Sequence, residues 1–241
     1  MFICFHIVAT LLLIYYEGIK IFMSTIEGKK NRLVAVQSLS LFIECAVNIY
    51  IRSRKLFPGF SFSNHMRFGQ SFLLCDVKSV KQYIKQLCSS IQTLFLHDRV
   101  KCLIILASDS EKRPIERFVI EFPEDFAKSI FYSLPLGSTS KTDLETNSAC
   151  TEIFREALTH LERKLGRSLP ESGEPIAYWE ALVDVKRSSA QATECMDMPS
   201  GWLLDSDAKF FDKNLARHPI KSTCIQDSVV VLSYVDEFVR K

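Results

Sequence analysis

The side chains best equipped for chemistry in this chain are its histidines, cysteines and strand carboxylates, and their spacing keeps them apart. His6, His65, His97, His160 and His218 each stand alone, with no second histidine or cysteine at metal-ligand spacing. The eight cysteines, at 4, 45, 75, 88, 102, 150, 195 and 224, contain no CxxC pair. That scatter suggests neither a disulfide framework nor a zinc site, and it suits a reducing compartment, cytosol or nucleus. Cys45, Cys88 and Cys102 fall inside apolar periodic segments, where a thiol behaves as a small hydrophobe. Glu116 and Glu121 lie five apart on an expected strand, so they point to opposite faces and cannot work as an acid and base pair. GxGxxG, P-loop, HExxH and GxSxG motifs are absent. The residues nominate no enzyme, no metal and no cofactor.

The elements that would position these residues are easier to read. With 241 residues, 47% hydrophobic and 24% charged, the chain has material for one large domain or two small ones. Its net charge of +2 is too small to argue for nucleic acid or membrane. The charges are segregated, however. Lys29 to Lys85 holds ten Lys/Arg against two acids, while Ser108 to Glu237 holds fifteen against twenty-three. Two solvated faces account for this; a basic face beside DNA or an acidic partner is the sharper reading.

Leu33 to Leu56 reads as a long helix, with Val36, Leu39, Ile43, Ala46, Val47 and Tyr50 at three- and four-residue spacing. Arg52, Arg54 and Lys55 suit the negative end of its dipole, and Pro58-Gly59 stops it. Val77 to Leu96 is a second helix, with Asp76 as its expected N-cap and Val80, Ile84, Leu87, Ile91 and Leu94 on one face. Lys101 to Ala107 is apolar on both faces, as a buried strand should be. A long turn through Ser108 to Arg113 leads to a return strand, Ile115 to Phe122, with Phe118, Ile120 and Phe122 on the core side and Arg117 and Glu121 opposite. Leu134 to Ser148 is a polar loop, Ile153 to Leu165 a third helix and Ala177 to Val185 strand-like. Ser188 to Pro199 is a connector, Asp205 to Lys213 a charged run, and Val229 to Val235 a closing strand. Three helices on a mostly antiparallel sheet give an α+β domain.

The first 22 residues stand apart. Met1 to Tyr16 is apolar except for His6 and Thr10, yet sixteen residues fall short of the ~20 that span a bilayer. Neither a positive leader nor an A-x-A-like cleavage site is evident. Met23 offers an alternative start, which would make Met1 to Phe22 an extension outside the mature fold. A membrane anchor and a partner-binding helix are the other readings. The expected division is residues 1–30 as extension and linker and residues 31–241 as the domain.

Phe42-Ile-Glu-Cys-Ala-Val, Arg54-Lys-Leu-Phe-Pro58, Gln82-Tyr-Ile84 and Arg113-Pro-Ile-Glu-Arg-Phe-Val-Ile-Glu-Phe122, in that order and spacing, resemble the HORMA domain family. Within it they look most like the accessory subunits of DNA polymerase zeta, the translesion polymerase. The resemblance implies a HORMA fold: three long helices packed on a mostly antiparallel sheet, with residues 188–241 as a mobile C-terminal safety belt that passes over a bound peptide. It implies an adaptor that clasps a short proline-containing peptide of the polymerase zeta catalytic subunit and bridges it to an inserter polymerase. DNA would be touched only indirectly, no membrane is expected, and the location would be the nucleus with some cytoplasm. A spindle-checkpoint or meiotic-axis HORMA adaptor is the alternative.

Three aromatic positions carry over as peptide-binding residues: Tyr83, Trp202 in the belt and Tyr234 in the final strand. From the residues alone Tyr83 could equally be core-edge, Trp202 a staple between belt and sheet, and Tyr234 filler in a valine-rich strand. Arg155 matches an arginine at a HORMA homo- or heterodimer interface; pairing with Glu152 or Glu156 on its own helix is the bland alternative. Leu232, where the family has a polar residue, and the long Leu134 to Ser148 loop depart from the pattern.

Overall fold

Apolar side chains at helical spacing bury one face of each of three helices against one face of a sheet. The computed structural model describes residues 36–97, 99–122, 148–166, 175–185, 215–225 and 228–238. The expected extension, the polar loop up to residue 147, the connector, the charged run and Trp202 lie outside these residues; Ser148, expected as the loop's last residue, opens the third helix.

Helix α1 covers residues 36–53, and every apolar position assigned to its inner face is buried. It ends before Pro58: Lys55 takes a left-handed backbone (φ 53°), and the amides of Lys55 and Leu56 donate to the carbonyls of Arg52 and Ile51. This is a Schellman-type cap with lysine in the usual glycine place. Strands β1 (Phe62–Arg67) and β2 (Gln70–Cys75) then form a hairpin. Phe68 and Gly69 turn it with φ of 52° and 70°, the positive pair a type I′ turn demands. Phenylalanine is a poor choice for that backbone; its ring is instead buried against Phe154, centroids 5.6 Å apart.

Helix α2 (Lys78–Leu96) buries Val80, Ile84, Leu87, Ile91 and Leu94 as periodicity demands. Its N-cap is Val77, not Asp76, and no side chain caps it. Asp76 sits one residue too early; its amide donates to the Ser61 carbonyl and its carboxylate accepts from Lys81. Strands β3 (Val100–Ser108) and β4 (Pro114–Glu121) are joined by a turn closed on Asp109. Helix α3 (Ser148–Leu165) and strand β5 (Tyr178–Val185) follow, then strands β6 (Leu215–Ile225) and β7 (Ser228–Phe238).

The larger sheet is antiparallel throughout, in the order β5-β3-β4-β7-β6. On its helix side Leu103, Ile105, Phe118, Ile120 and Phe122 join the main core, where Tyr50 stacks on Phe118 and Phe95 meets Phe122 edge-on. Each such buried side chain contributes about 1.5–3 kcal/mol relative to exposure. The opposite face is buried as well, around Cys102, Ile104 and Val119, with Leu182 and Tyr234 against them.

Two buried ion pairs tie these layers together. Arg54 is no dipole complement at a helix end: its guanidinium is enclosed, with Nη2 3.1 Å from Glu116 Oε2 and Nη1 donating to the Leu165 carbonyl at 3.3 Å. Tyr50 donates its hydroxyl to the same carboxylate at 2.7 Å. Burial, then the negative charge of Glu116, push the Tyr50 phenol well above its usual range. Across the strands, Arg117 grips Asp236 through Nε and Nη2 at 3.0 and 2.8 Å, linking β4 to the residue directly opposite on β7.

Candidate functional site

In the sheet order, β7 and β6 extend one side beyond β4, while β5 lies at the other end beside β3 alone. Among the described residues no strand pairs with the far edge of β5. Register shows which groups line that edge. Ala181 lies opposite Ile105 on β3, yet its amide donates to the Tyr83 hydroxyl at 3.0 Å, so it points away from β3. Backbone groups alternate sides along a strand, so those of Trp179 and Val183 point outward too.

Tyr83 rises from α2, beside Ile84 of the buried face, and is 39% exposed. Its ring meets Trp179 edge-on, centroids 5.2 Å apart at 88°. Burial of its inner part pushes the phenol above its usual value, so the hydroxyl is neutral and able both to accept from Ala181 and to donate. Exposed Tyr178, the neighbour of Trp179 in the strand, points to the opposite face of β5. At this end of the strand Leu106, Ser108, Lys112, Pro114, Tyr178 and Trp179 line a depression of about 270 Å³. An outward row of backbone groups flanked by aromatics is equipped to pair with an extended chain and to hold its side chains.

Of the residues proposed from sequence, the described ones, Tyr83, Tyr234 and Arg155, do not converge. Tyr83 stands at the β5 edge. Tyr234 lies on β7 opposite Val119, with β3 and β4 between it and β5, and packs on the face away from the helices. Its hydroxyl sits 3.5 Å from Glu121 Oε2. Arg155 pairs with Glu152 at 3.0 Å on its own helix, the bland alternative, while keeping 41% of its side chain exposed. Trp202 lies outside the described residues. Trp179 was missed; the available signal was a tryptophan, one of two in the chain, inside a strand-like segment next to Tyr178.

Nothing in the geometry nominates catalysis among the described residues. Ser63, His65 and Asp76 come together at the β1–β2 hairpin, with Ser63 Oγ 3.0 Å and Asp76 Oδ1 3.7 Å from the same His65 Nε2. A proton relay needs the base and its orienting acid on different ring nitrogens, so this grouping cannot act as one. Burial pushes the thiols of Cys45, Cys88 and Cys102 up to about 12, far from a nucleophile's range.

No protein-family model matches the chain. The chicken and human proteins named mitotic spindle assembly checkpoint protein MAD2B are 23% and 24% identical to it over 214 residues, spanning 86% of this chain and 93% of each relative. A chain in the crystal structure of the mitotic checkpoint complex shares its fold, with a TM-score of 0.60 at 16% identity, over 85% of this chain and 99% of that one. The C. elegans protein HTP-1, solved bound to HTP-3 motif-1, superposes with a TM-score of 0.53 at 11% identity, over 84% and 89% of the two chains. At such identities the likeness to the solved structures speaks for the fold alone.

Proposed function

We propose that this chain, a HORMA-domain protein related to MAD2B, is a non-catalytic adaptor that takes a short partner peptide as an added strand on β5. One observation carries this reading: the C-terminal hairpin β6–β7 occupies the β4 side of the sheet and leaves the β5 edge, with Tyr83 and Trp179, without a neighbouring strand among the described residues. A chain added there gains main-chain hydrogen bonds for affinity, while the aromatic pair and the depression read its side chains.

Within that role we assign the chain to translesion DNA synthesis, as an accessory subunit of DNA polymerase zeta acting in the nucleus. The peptide would be a proline-containing segment of the catalytic subunit, and a second face would engage an inserter polymerase. The support is the order of the quoted motifs from Phe42 to Phe122 and the relation to MAD2B across most of both chains. Tyr83 and Trp202 are the proposed peptide contacts. Tyr234 serves by seating β7, and half-exposed Arg155 is the proposed contact to a second HORMA domain.

A pull-down from nuclear extract tests this, using the full chain beside its Trp202→Ala and Tyr83→Ala variants. Recovery of a B-family DNA polymerase catalytic subunit by wild type, lost in the variants, is the expected result. Checkpoint or meiotic-axis proteins in its place would keep the adaptor and refute the polymerase assignment. No partner that depends on either aromatic would refute the clasp.

A further inference from the structure

An open sheet edge is a liability, because its unpaired amides and carbonyls template any passing strand. The β5 edge, which pairs with no further strand among the described residues, is treated in an unusual way: a side chain from another element stands where a partner strand's carbonyl would stand. Tyr83 on α2 brings its hydroxyl oxygen 3.0 Å from the Ala181 amide, ordinary ladder distance for an N–H···O bond. Its position is set by two contacts independent of that bond. Ile84, its neighbour in the helix, is buried in the core, and the Tyr83 ring abuts Trp179, whose backbone lies on the same outward row as that of Ala181.

We propose that the Tyr83 hydroxyl is a gate on the β5 edge: it substitutes for one rung of an incoming strand, and a partner must displace it to pair through Ala181. The proposal rests on the reading of β5 as the docking edge and adds a regulation of that site. The ring and the hydroxyl then have opposite effects. The ring, held against Trp179, offers a docking surface and favours binding. The hydroxyl already satisfies the Ala181 amide, so a strand arriving there exchanges one hydrogen bond for another and gains less than at a bare edge. Segments that pair poorly are rejected, and only a chain with enough other contacts opens the gate.

Tyr83→Phe keeps the ring and removes the competitor, whereas Tyr83→Ala removes both. The probe is the best binder that wild-type full-length chain selects from a displayed library of linear 12-residue peptides. Its affinity is measured by fluorescence anisotropy, and hydrogen exchange is followed at β5 amides. For the free proteins, Ala181 exchanges faster in both variants than in wild type. The probe binds Tyr83→Phe about two- to tenfold more tightly than wild type, the net worth of one neutral hydrogen bond, and binds Tyr83→Ala more weakly than either.

Equal Ala181 exchange in wild type and Tyr83→Phe would overturn the gate, since the hydroxyl would then protect nothing. Equal or weaker binding by Tyr83→Phe would overturn it too, making the hydroxyl a peptide contact. If the Ala181 difference stands but the probe protects no β5 amide, the docking-edge reading fails and the gate falls with it, the contact surviving as a plain edge cap.

Discussion

Replacing Glu116 by alanine takes the carboxylate from a guanidinium that folding has already removed from water. The side chains of Arg54 and Glu116 are 1% and 0% exposed, and three elements meet at the pair: α1 through Tyr50 and, just past its end, Arg54, β4 through Glu116, and the end of α3 through the Leu165 carbonyl. Removing one partner of such a pair costs about 3–5 kcal/mol, because the remaining charge keeps its desolvation penalty and loses its counter-charge. Tyr50 loses a bond to a charged acceptor at the same time, so the upper part of that range applies, about 4–5 kcal/mol. For a chain of this size that lowers the midpoint of thermal unfolding by roughly 8–20 °C. The assay is urea unfolding followed by circular dichroism and tryptophan fluorescence. Glu116→Gln, which keeps the shape and one acceptor, is expected to cost clearly less than Glu116→Ala. The double variant Arg54→Met with Glu116→Leu removes both charges and should recover most of the loss, since buried pairs are often replaceable by apolar side chains. A Glu116→Ala cost below about 1 kcal/mol, or a double variant no better than the single one, would refute the reasoning.

Three further outcomes are expected, two from the geometry and one from the proposed peptide contact. Asp236→Ala, which leaves buried Arg117 facing β7 without its carboxylate, should speed amide exchange along β6 and β7 by about 100-fold, with β3 and α1 little changed; uniform loss across the core would show that the pair does not hold the hairpin in particular. On the proposed role of Trp202 as a peptide contact, Trp202→Ala should lower partner-peptide affinity by ~2 kcal/mol, the size of an aromatic hot-spot loss, and an unchanged dissociation constant in titration calorimetry would leave Trp202 a structural residue only. Burial raises the Asp109 carboxyl, but amide donors from Glu111 and Arg113 and the Arg113 guanidinium outweigh it and hold the group at about 2 against an ordinary 3.8. A depressed acid stabilises the fold above its unfolded value and ceases to as pH falls through the folded one, so Asp109→Asn should flatten the stability profile between pH ~4 and ~2; parallel profiles would contradict the assignment.

The elements legible in the sequence are those whose local pattern and final environment agree. The inner faces of α1 and α2 read correctly because three- and four-residue apolar spacing describes a helix lying on a core. Strand β3 was legible because a strand buried on both faces is apolar throughout. The β1–β2 hairpin was not, because its turn uses Phe68 where asparagine or aspartate would announce it, and only the Phe154 contact makes that choice tolerable. Strand β6 was overlooked because Leu215 to Ile225 mixes basic, polar and apolar residues and holds Pro219, a composition that reads as loop. Pairing with β7 at the sheet's edge makes it a strand.

By itself the sequence determined the α+β class, the three helices, the central hairpin β3–β4 and, through the order of its motifs, the HORMA resemblance. These are properties of periodicity and local order. Only the tertiary structure decided which edge of the sheet has no neighbouring strand among the described residues, because strand order depends on long-range pairing that no local pattern encodes. It also decided that Arg54, Arg117 and Asp236 are buried, since a charge enters the core only when its counter-charge arrives from a distant segment, 62 residues away for Arg54 and Glu116 and 119 for Arg117 and Asp236. Tyr83 shows the division within one residue: its helix and its place beside the core face follow from spacing, whereas its bond to the Ala181 amide, 98 residues on, exists only in the folded chain.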